Sequence, residues 1–411
     1  MTGKIVTTIR LDPTVKEQAD DVFGCLGLTF SSAVNMFLKA VVRDNGLPFD
    51  LKQDASGNAS LNKAGTAKKD EFYTRLEDVE AEMSDYEKSF KDKIVYCNCD
   101  NPLESAFFRY FVLNFSRLGL KSLRATCYGR SLNMNGEFCK PYKAIVTQVP
   151  SQALDGNAFD VHTLFSSNGN ELSLLEGDGD FKSDECVHLL DESDVVATNP
   201  PFSLFRDYIS LLNEHHKKYI VIGNVNALTY KEVFPLFKAN MIRMGSSIHS
   251  GDRKFGIPRT YPLDAVGCGE DEYGRFVKVK GIRWFTNMRA ERREHPLELT
   301  CPYDPSTYAK YENYDAINIP RTSMIPYDYE GLMGVPITFL DHYDPEQFEI
   351  VMLANGNART NTPGKILESV GYHRHPEDRG GVGIIDGKRT YARILIRNRH
   401  PEVEGKVEHH G

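Results

Sequence analysis

Apolar and polar positions change period several times along the chain, and each change marks an element. Residues 4–11, KIVTTIRL, alternate, predicting a strand with Ile5, Thr7, Ile9 and Leu11 on one side and Lys4, Val6, Thr8 and Arg10 on the other. Helical spacing follows over residues 13–24 (Val15, Ala19, Val22, Phe23) and again from Thr29 or Ser31 to about Asn45 (Ala33, Val34, Phe37, Leu38, Val41, Val42). Residues 52–68 are small and polar and predict a flexible linker. Beyond it, Phe72, Leu76, Val79, Met83 and Tyr86 predict a helix. Short apolar runs then recur as strands: KIVY at 93–96, KSLRATCYG after Gly119, YKAIV, VVA at 195–197 and YIVIGN at 219–224. Strands alternating with helical patterns such as AFFRYFVLNF and LFRDYISLL point to an α/β sheet with parallel strands. GVPITFL (334–340), FEIVML (348–353) and RTYARILIRNR predict further strands.

The most informative junction is residues 194–205, DVVATNPPFSLF. VVA suits a buried parallel strand, and the double proline ends it, so Asn199, Pro200, Pro201 and Phe202 fall at the strand's carboxyl end, where open α/β sheets bind ligands. Ser203 is placed to cap the next helix. These four residues match the NPPF form of the (D/N)PP(Y/F) motif of amino-group DNA methyltransferases. An exocyclic amine is a poor nucleophile because its lone pair is delocalised into the ring, so its hydrogens must be held by well-placed acceptors. The Asn199 side-chain oxygen and the Pro200 carbonyl can serve. The prolines remove competing donors, and Phe202 offers a stacking face for an extruded base.

Length and charge narrow the picture. At 411 residues two or three domains are expected, and a net charge of −8 confines any nucleic-acid contact to local basic patches. Two such stretches occur. One runs from Lys238 with Arg243, His249, Arg253, Lys254 and Arg259; the other holds Lys278, Lys280, Arg283, Arg289, Arg292 and Arg293 around the only tryptophan. Together they predict a DNA-facing side. Eight scattered cysteines suit a reducing compartment, Cys97 and Cys99 lack a second pair at metal spacing, and neither a membrane span nor a signal peptide is evident. No metal and no membrane partner are expected, and the expected location is cytoplasmic.

Residues 4–51, through TTIRLD, VFGCLGLTFSSAVNMFLKAVV and LPFDL, resemble the ribbon-helix-helix domain of RelB/DinJ-type antitoxins. The resemblance implies a homodimer whose paired strands enter the major groove, with Lys4, Thr8 and Arg10 at bases or phosphates; dimerisation without DNA preference is the alternative. Residues 70–400 are similar to the EcoRI-type adenine-specific DNA methyltransferases through CNCDNP and AFFRYF (97–111), GDF (179–181), NPPFSLF (199–205) and GVPITFLD with YDPEQFEI (334–350). This implies a mixed α/β sheet of the Rossmann-like methyltransferase class with a DNA-recognition region, and S-adenosyl-L-methionine as cofactor. It also implies that Asn98, Asp100 and Pro102 line the cofactor's methionine end, with the backbone of Cys97 and Cys99 nearby and their side chains packed. Asp180 would meet the cofactor's adenine amino group and Phe181 its ring. Tyr73 is a candidate for leaning on the cofactor, and Asn224 or Asn226 for the far wall; ribose recognition stays open between Tyr128 and a nearby acid.

The expected organisation is a ribbon-helix-helix segment (1–51), the linker (52–68), a catalytic core (69–240), a target-recognition and closing region (241–400) and a disordered tail (401–411). The reading is a DNA adenine N6-methyltransferase acting on duplex DNA, with a companion nuclease or toxin as a possible partner. Two rivals stand beside it: a DNA-binding antitoxin or repressor with a silent methyltransferase-like domain, and an RNA or protein N-methyltransferase.

Overall fold

The computed structural model describes residues 72–99, 101–263, 266–291 and 296–402, together with Lys16, Phe30 and Val34. By contact clustering the chain forms two units, residues 1–59 and 60–411. In the first, Lys16, Phe30 and Val34 are helical. The expected ribbon with Lys4, Thr8 and Arg10, the linker and residues 403–411 lie outside the described residues.

The second unit is built on an eight-stranded mixed sheet. In chain order its strands are β1 Ile94–Cys97, β2 Ser122–Thr126, β3 Tyr142–Val146, β4 Glu171–Leu174, β5 Val195–Thr198, β6 Lys218–Asn224 and β7 Arg243–Met244. After an excursion through β8 Asp252–Gly256, β9 Cys268–Asp271 and β10 Gly274–Lys280, the chain returns as β11 Ile282–Thr286. The sheet order is β4-β3-β2-β1-β5-β6-β11-β7. β2, β1, β5 and β6 are parallel, and the outer pairs are antiparallel.

Period-two alternation explains why the central strands are apolar throughout. Val95, Cys97, Val195 and Ala197 join one core with Phe107, Phe108, Phe111 and Val112, whereas Tyr96 and Val196 join the opposite core with Phe205, Tyr208, Ile209 and Leu212. Helices α1 Leu76–Met83 and α2 Ala106–Leu113 cover the first face; α3 Asp184–Asp191 and α4 Phe205–Glu214 cover the second. A four-stranded sheet, β12 Ala316–Asn318, β13 Leu332–Pro336, β14 Phe348–Ala354 and β15 Arg393–Asn398, follows in the order β12-β13-β15-β14.

Several boundaries differ from the periodicity reading. The opening helix ends at Met83 and resumes as a 3-10 turn at Glu87–Phe90. The strand expected over 334–340 stops at Pro336, which has no N–H for the ladder, and Ile337–His342 forms a 3-10 helix. α4 begins after a 3-10 turn at Phe202–Leu204, so Leu204 rather than Ser203 holds its N-cap position.

Of the basic residues, Arg243, Arg253, Lys254, Lys278, Lys280 and Arg283 lie on strands, Lys238 ends a short helix, His249, Arg259 and Arg289 lie between elements, and Arg292 and Arg293 lie outside the described residues. β8, β10 and β9 form a three-stranded antiparallel sheet, and β11, which carries Arg283 and Trp284, lies fully buried inside the central sheet. Among the described residues no helix is long and apolar enough to cross a membrane.

Candidate active site

From β1 the chain passes to β2 on one side, and β5 later joins the other, so the loops leaving β1 and β5 diverge and open a crevice at their carboxyl ends. The sequence places its two chemical turns there. Asn98 follows β1, Asn199 follows β5, and Thr198 Oγ1 donates to the Asn98 carbonyl across the gap. Tyr208, on α4, donates its hydroxyl to Asn98 Oδ1. Burial pushes the Tyr208 hydroxyl well above its usual range, so it stays protonated and acts as a fixed donor. Asn98 is therefore held by a strand neighbour and a helix. Cys99 next to it has a φ of 76°, the left-handed region that a glycine would take without cost. Cys97 is buried and Cys99 partly so, as expected of packing side chains, and Pro102 is buried close by. Asp100 lies outside the described residues.

The 178–181 turn closes another side. Gly129 N donates to Asp178 O at 2.7 Å, and a Cβ on Gly179, whose φ is +79°, would stand 2.1 Å from the Cys127 carbonyl oxygen. Only a glycine lets this turn seat itself on the end of β2. Asp180 is exposed, with one carboxylate oxygen accepting from Lys182 N at 2.9 Å. Phe181 is buried edge-on against Tyr208, ring centroids 5.1 Å apart, so it supports the Asn98 anchor from behind. Gly179→Ala is expected to lift this turn and lower stability by ~1–3 kcal/mol, which thermal melting checks; an unchanged melting temperature would contradict this close seating.

At the turn after β5, Asn199 is 6% exposed and donates from Nδ2 to the Phe72 carbonyl at 2.6 Å. That carbonyl can only accept, which fixes the amide orientation and leaves Oδ1 buried without a partner. Pro200 is buried and Phe202 half-buried. Phe202 packs with Phe72 and Phe255, each pair of centroids 6.2 Å apart, and Tyr261 lies 6.2 Å from Phe72. Residues 72–74 thus form a strap. Phe72 holds Asn199, Tyr73 exchanges backbone bonds of 2.9 and 2.7 Å with Gly256 at the end of β8, and the Thr74 hydroxyl is buried without a partner. Thr74 lines a cleft of about 460 Å³ with Leu103, Glu104 and Arg109.

The basic candidates separate. Arg253 and Lys254 lie on β8 beside Phe255, 3.5 Å from Asp78 and 2.9 Å from Asp271 respectively. Lys254, with Arg75, holds the Asp271 carboxyl down at about 2. Arg259 is exposed, and Arg243 lies on the edge strand β7, 3.4 Å from Asn240. Arg283 departs from the expectation of a DNA contact. It is 4% exposed, with Nε and one terminal nitrogen on Asp341 at 2.8 and 3.0 Å and further bonds to the Ile282 and His249 carbonyls. A strand covered on both faces has no solvent for a guanidinium, so it pairs internally. Asn224 is likewise occupied, bonding Lys280 O and Asn226 N, and Tyr73 gives its hydroxyl to Leu132 O.

Thr198, Tyr208 and Thr74 are not singled out by the sequence, and Phe72 reads there only as the first apolar position of the opening helix, which in fact begins at Leu76. Tyr208 is visible as a polar-tipped residue within the helical pattern LFRDYISLL.

Asn98 locked beside a left-handed turn, the glycine-seated 178–181 turn and the exposed Asp180 oxygen offer a ligand polar partners at the carboxyl ends of β1 and β2. An isolated amine acceptor at Asn199 suits a planar substrate beside it.

The family model described as "Adenine-specific methyltransferase EcoRI" matches residues 60–399, and the RelB antitoxin model matches residues 5–79. The chain is 42% identical over 352 residues to the Type II methyltransferase M.EcoRI of Escherichia coli, covering 83% of this chain and 97% of that one. It is 36% identical over 348 residues to the Type II methyltransferase M.MpnI of Mycoplasma pneumoniae, covering 82% and 98%. Its amino terminus is 40% identical over 53 residues to the antitoxin DinJ of Escherichia coli K12, 13% of this chain and 62% of DinJ. No solved structure matches. With a family model spanning most of its length and near-complete coverage of these relatives, the chain belongs to the EcoRI family of adenine-specific methyltransferases.

Proposed function

We propose that the crevice between β1 and β5 methylates N6 of an adenine swung out of duplex DNA, with S-adenosyl-L-methionine as donor. The observation that carries this reading is the Asn199 amide, whose nitrogen is held by Phe72 and whose oxygen is buried with nothing to accept from. A buried acceptor left unpaired costs about 1–3 kcal/mol, and an exocyclic N–H removes that cost only when the amine is in place. Asn199 Oδ1 and the Pro200 carbonyl each accept a hydrogen bond from the amine, favouring a lone pair directed at the methyl group rather than delocalised into the ring. Phe202, braced by Phe72 and Phe255, presents an aromatic wall to the base.

Asn98, Cys97, Cys99, Asp100, Pro102 and Thr74 hold the amino-acid end of the cofactor, and Asp180 meets its adenine, with Phe181 and Tyr208 fixing the wall. When bound, S-adenosylmethionine supplies a methyl group already activated by its sulfonium. The chain's part is to position the amine in line and to exclude water.

The β8–β10 sheet with Arg253, Lys254 and Arg259 lies along the DNA backbone, exchanging its internal carboxylate partners for phosphates. The amino-terminal segment (1–51) dimerises and adds DNA contacts through Lys4, Thr8 and Arg10; its likeness to DinJ supports a toxin partner, and a companion nuclease fits the family. DNA as substrate implies the cytoplasm. Transfer of tritiated methyl to plasmid, competed with duplex, single-stranded DNA and RNA, tests the substrate. Duplex is expected to compete and RNA not to; competition by RNA alone would overturn the assignment.

A further inference from the structure

We propose that the hairpin at residues 132–138 is a wedge whose Phe138 ring enters the duplex beside the target adenine and fills the space that the extruded base leaves. This rests on the DNA-methylating reading above. The hairpin belongs to the excursion that leaves β2, and because β2 is parallel to β1 and β5 it departs from the same edge of the sheet as Asn98 and Asn199. Leu132 and Phe138 are bridged antiparallel, Asn133 N donates to Glu137 O at 2.8 Å, and Asn133 Oδ1 accepts from Glu137 N at 2.9 Å. Gly136, at φ +85°, turns the tip.

The hairpin is anchored on several sides. Met134 N donates to the Glu104 carboxylate at 3.1 and 3.3 Å, Met134 O accepts from Arg259 N at 3.0 Å, and Leu132 O accepts from the Tyr73 hydroxyl at 2.9 Å. A Cβ on Gly136 would stand 2.3 Å from Thr260 Cγ2, so the turn lies directly on that residue. Two of these anchors adjoin the catalytic turn. Tyr73 follows Phe72, which holds Asn199, and Tyr261 after Thr260 packs on the Phe72 ring.

The hairpin is half-buried at Leu132, Asn133, Met134 and Gly136, yet the ring at its closing bridge is left in solvent. Phe138 is 73% exposed. Single exposed apolar residues are ordinary, but a phenylalanine presented on an anchored turn beside a base-extruding site has a specific use. Arg130 and Lys140, which flank the hairpin in sequence, and Arg259, whose N–H bonds Met134 O, are exposed and suit a phosphate backbone; the one acid on the turn, Glu137, has a carboxylate oxygen 3.3 Å from Asn133 Nδ2. Unstacking a base costs a few kcal/mol, and an apolar side chain inserted at the step offsets part of it.

The test compares the full-length wild type with Phe138→Ala and Phe138→Leu on a duplex carrying the sequence that the wild type modifies in plasmid. With 2-aminopurine at the target position, wild type and Phe138→Leu are expected to raise the fluorescence and Phe138→Ala not to. Its kcat/KM on normal duplex should fall about 10- to 100-fold, with cofactor affinity and melting temperature unchanged. A mismatch opposite the target, which makes extrusion cheap, should bring Phe138→Ala back to the wild-type rate; a merely structural role would not produce that rescue. If Phe138→Ala matches wild type in fluorescence and rate, or loses activity that the mismatch does not restore, the wedge is overturned while the methylation reading stands. If the wild type leaves plasmid adenine unmodified, that reading falls and the wedge with it.

Discussion

Replacing Asn199 by alanine should lower the rate of methyl transfer by about 10²- to 10³-fold, the scale seen when one pre-aligned hydrogen-bonding group is removed from a reacting centre. The effect is expected in kcat, because the Asn199 oxygen has no partner in the free protein and gains one only with the amine. Cofactor affinity should change little, since Asn98, the 178–181 turn and Asp180 are untouched. The substitution leaves the Phe72 carbonyl unpaired but also removes the buried, unpaired Asn199 oxygen, so the two effects offset and stability should change little. Single-turnover methylation with saturating cofactor, alongside calorimetric titration of the cofactor, separates these effects. A variant that lost cofactor binding but kept its rate at saturation would place Asn199 on the wrong ligand.

Arg283→Ala should cost about 3–5 kcal/mol, because it strands the Asp341 carboxylate, whose side chain is 3% exposed, without its guanidinium partner. It also frees the His249 carbonyl and so loosens the segment leading into β8. Denaturant unfolding measures the loss. The salt dependence of DNA binding by the folded fraction should keep its slope, whereas a phosphate-contacting arginine would lower that slope by about 1 and leave stability nearly intact. Arg259→Ala, at an exposed position on the β8–β10 side, is expected to show that second pattern.

The contrast between these arginines shows what the sequence could convey. Charge and neighbours looked alike at Arg259 and Arg283, and both sat in stretches that read as DNA-facing. The difference lies in β11 being hydrogen-bonded between β6 and β7, a pairing across dozens of residues that no local pattern encodes. The partner that makes burial tolerable, Asp341, is 58 residues further on.

The catalytic turn was legible because its signal is local: an apolar strand, two prolines that end it, and an asparagine whose chemistry is specific. Its supports were not. The Phe72 carbonyl is 127 residues from Asn199, and Tyr208 reaches Asn98 over 110. The first turn of the sheet could be located by its place after KIVY, but its left-handed residue was hidden because a cysteine occupies a conformation usually marked by glycine. Glu82 is a similar case. It reads as one more acid on an amphipathic helix, yet it is buried, accepts from Ser246 N, Ser247 N and the hydroxyls of Ser247 and Tyr86, and ties α1 to the segment after β7. Burial raises its carboxyl above the ordinary range. A carboxyl raised by folding contributes stability that is lost as pH climbs through its folded value, opposite in sign to the surface acid Asp271.

The central claim is that the crevice between Asn98 and Asn199 methylates adenine at N6 in DNA. Nucleoside mass spectrometry of duplex DNA incubated with the purified chain and deuteromethyl-labelled S-adenosylmethionine tests it most directly. The account predicts labelled N6-methyladenine from the wild type and at least a hundredfold less from Asn199→Ala. Label on cytosine, on protein or on nothing, or equal N6-methyladenine from both proteins, would contradict it.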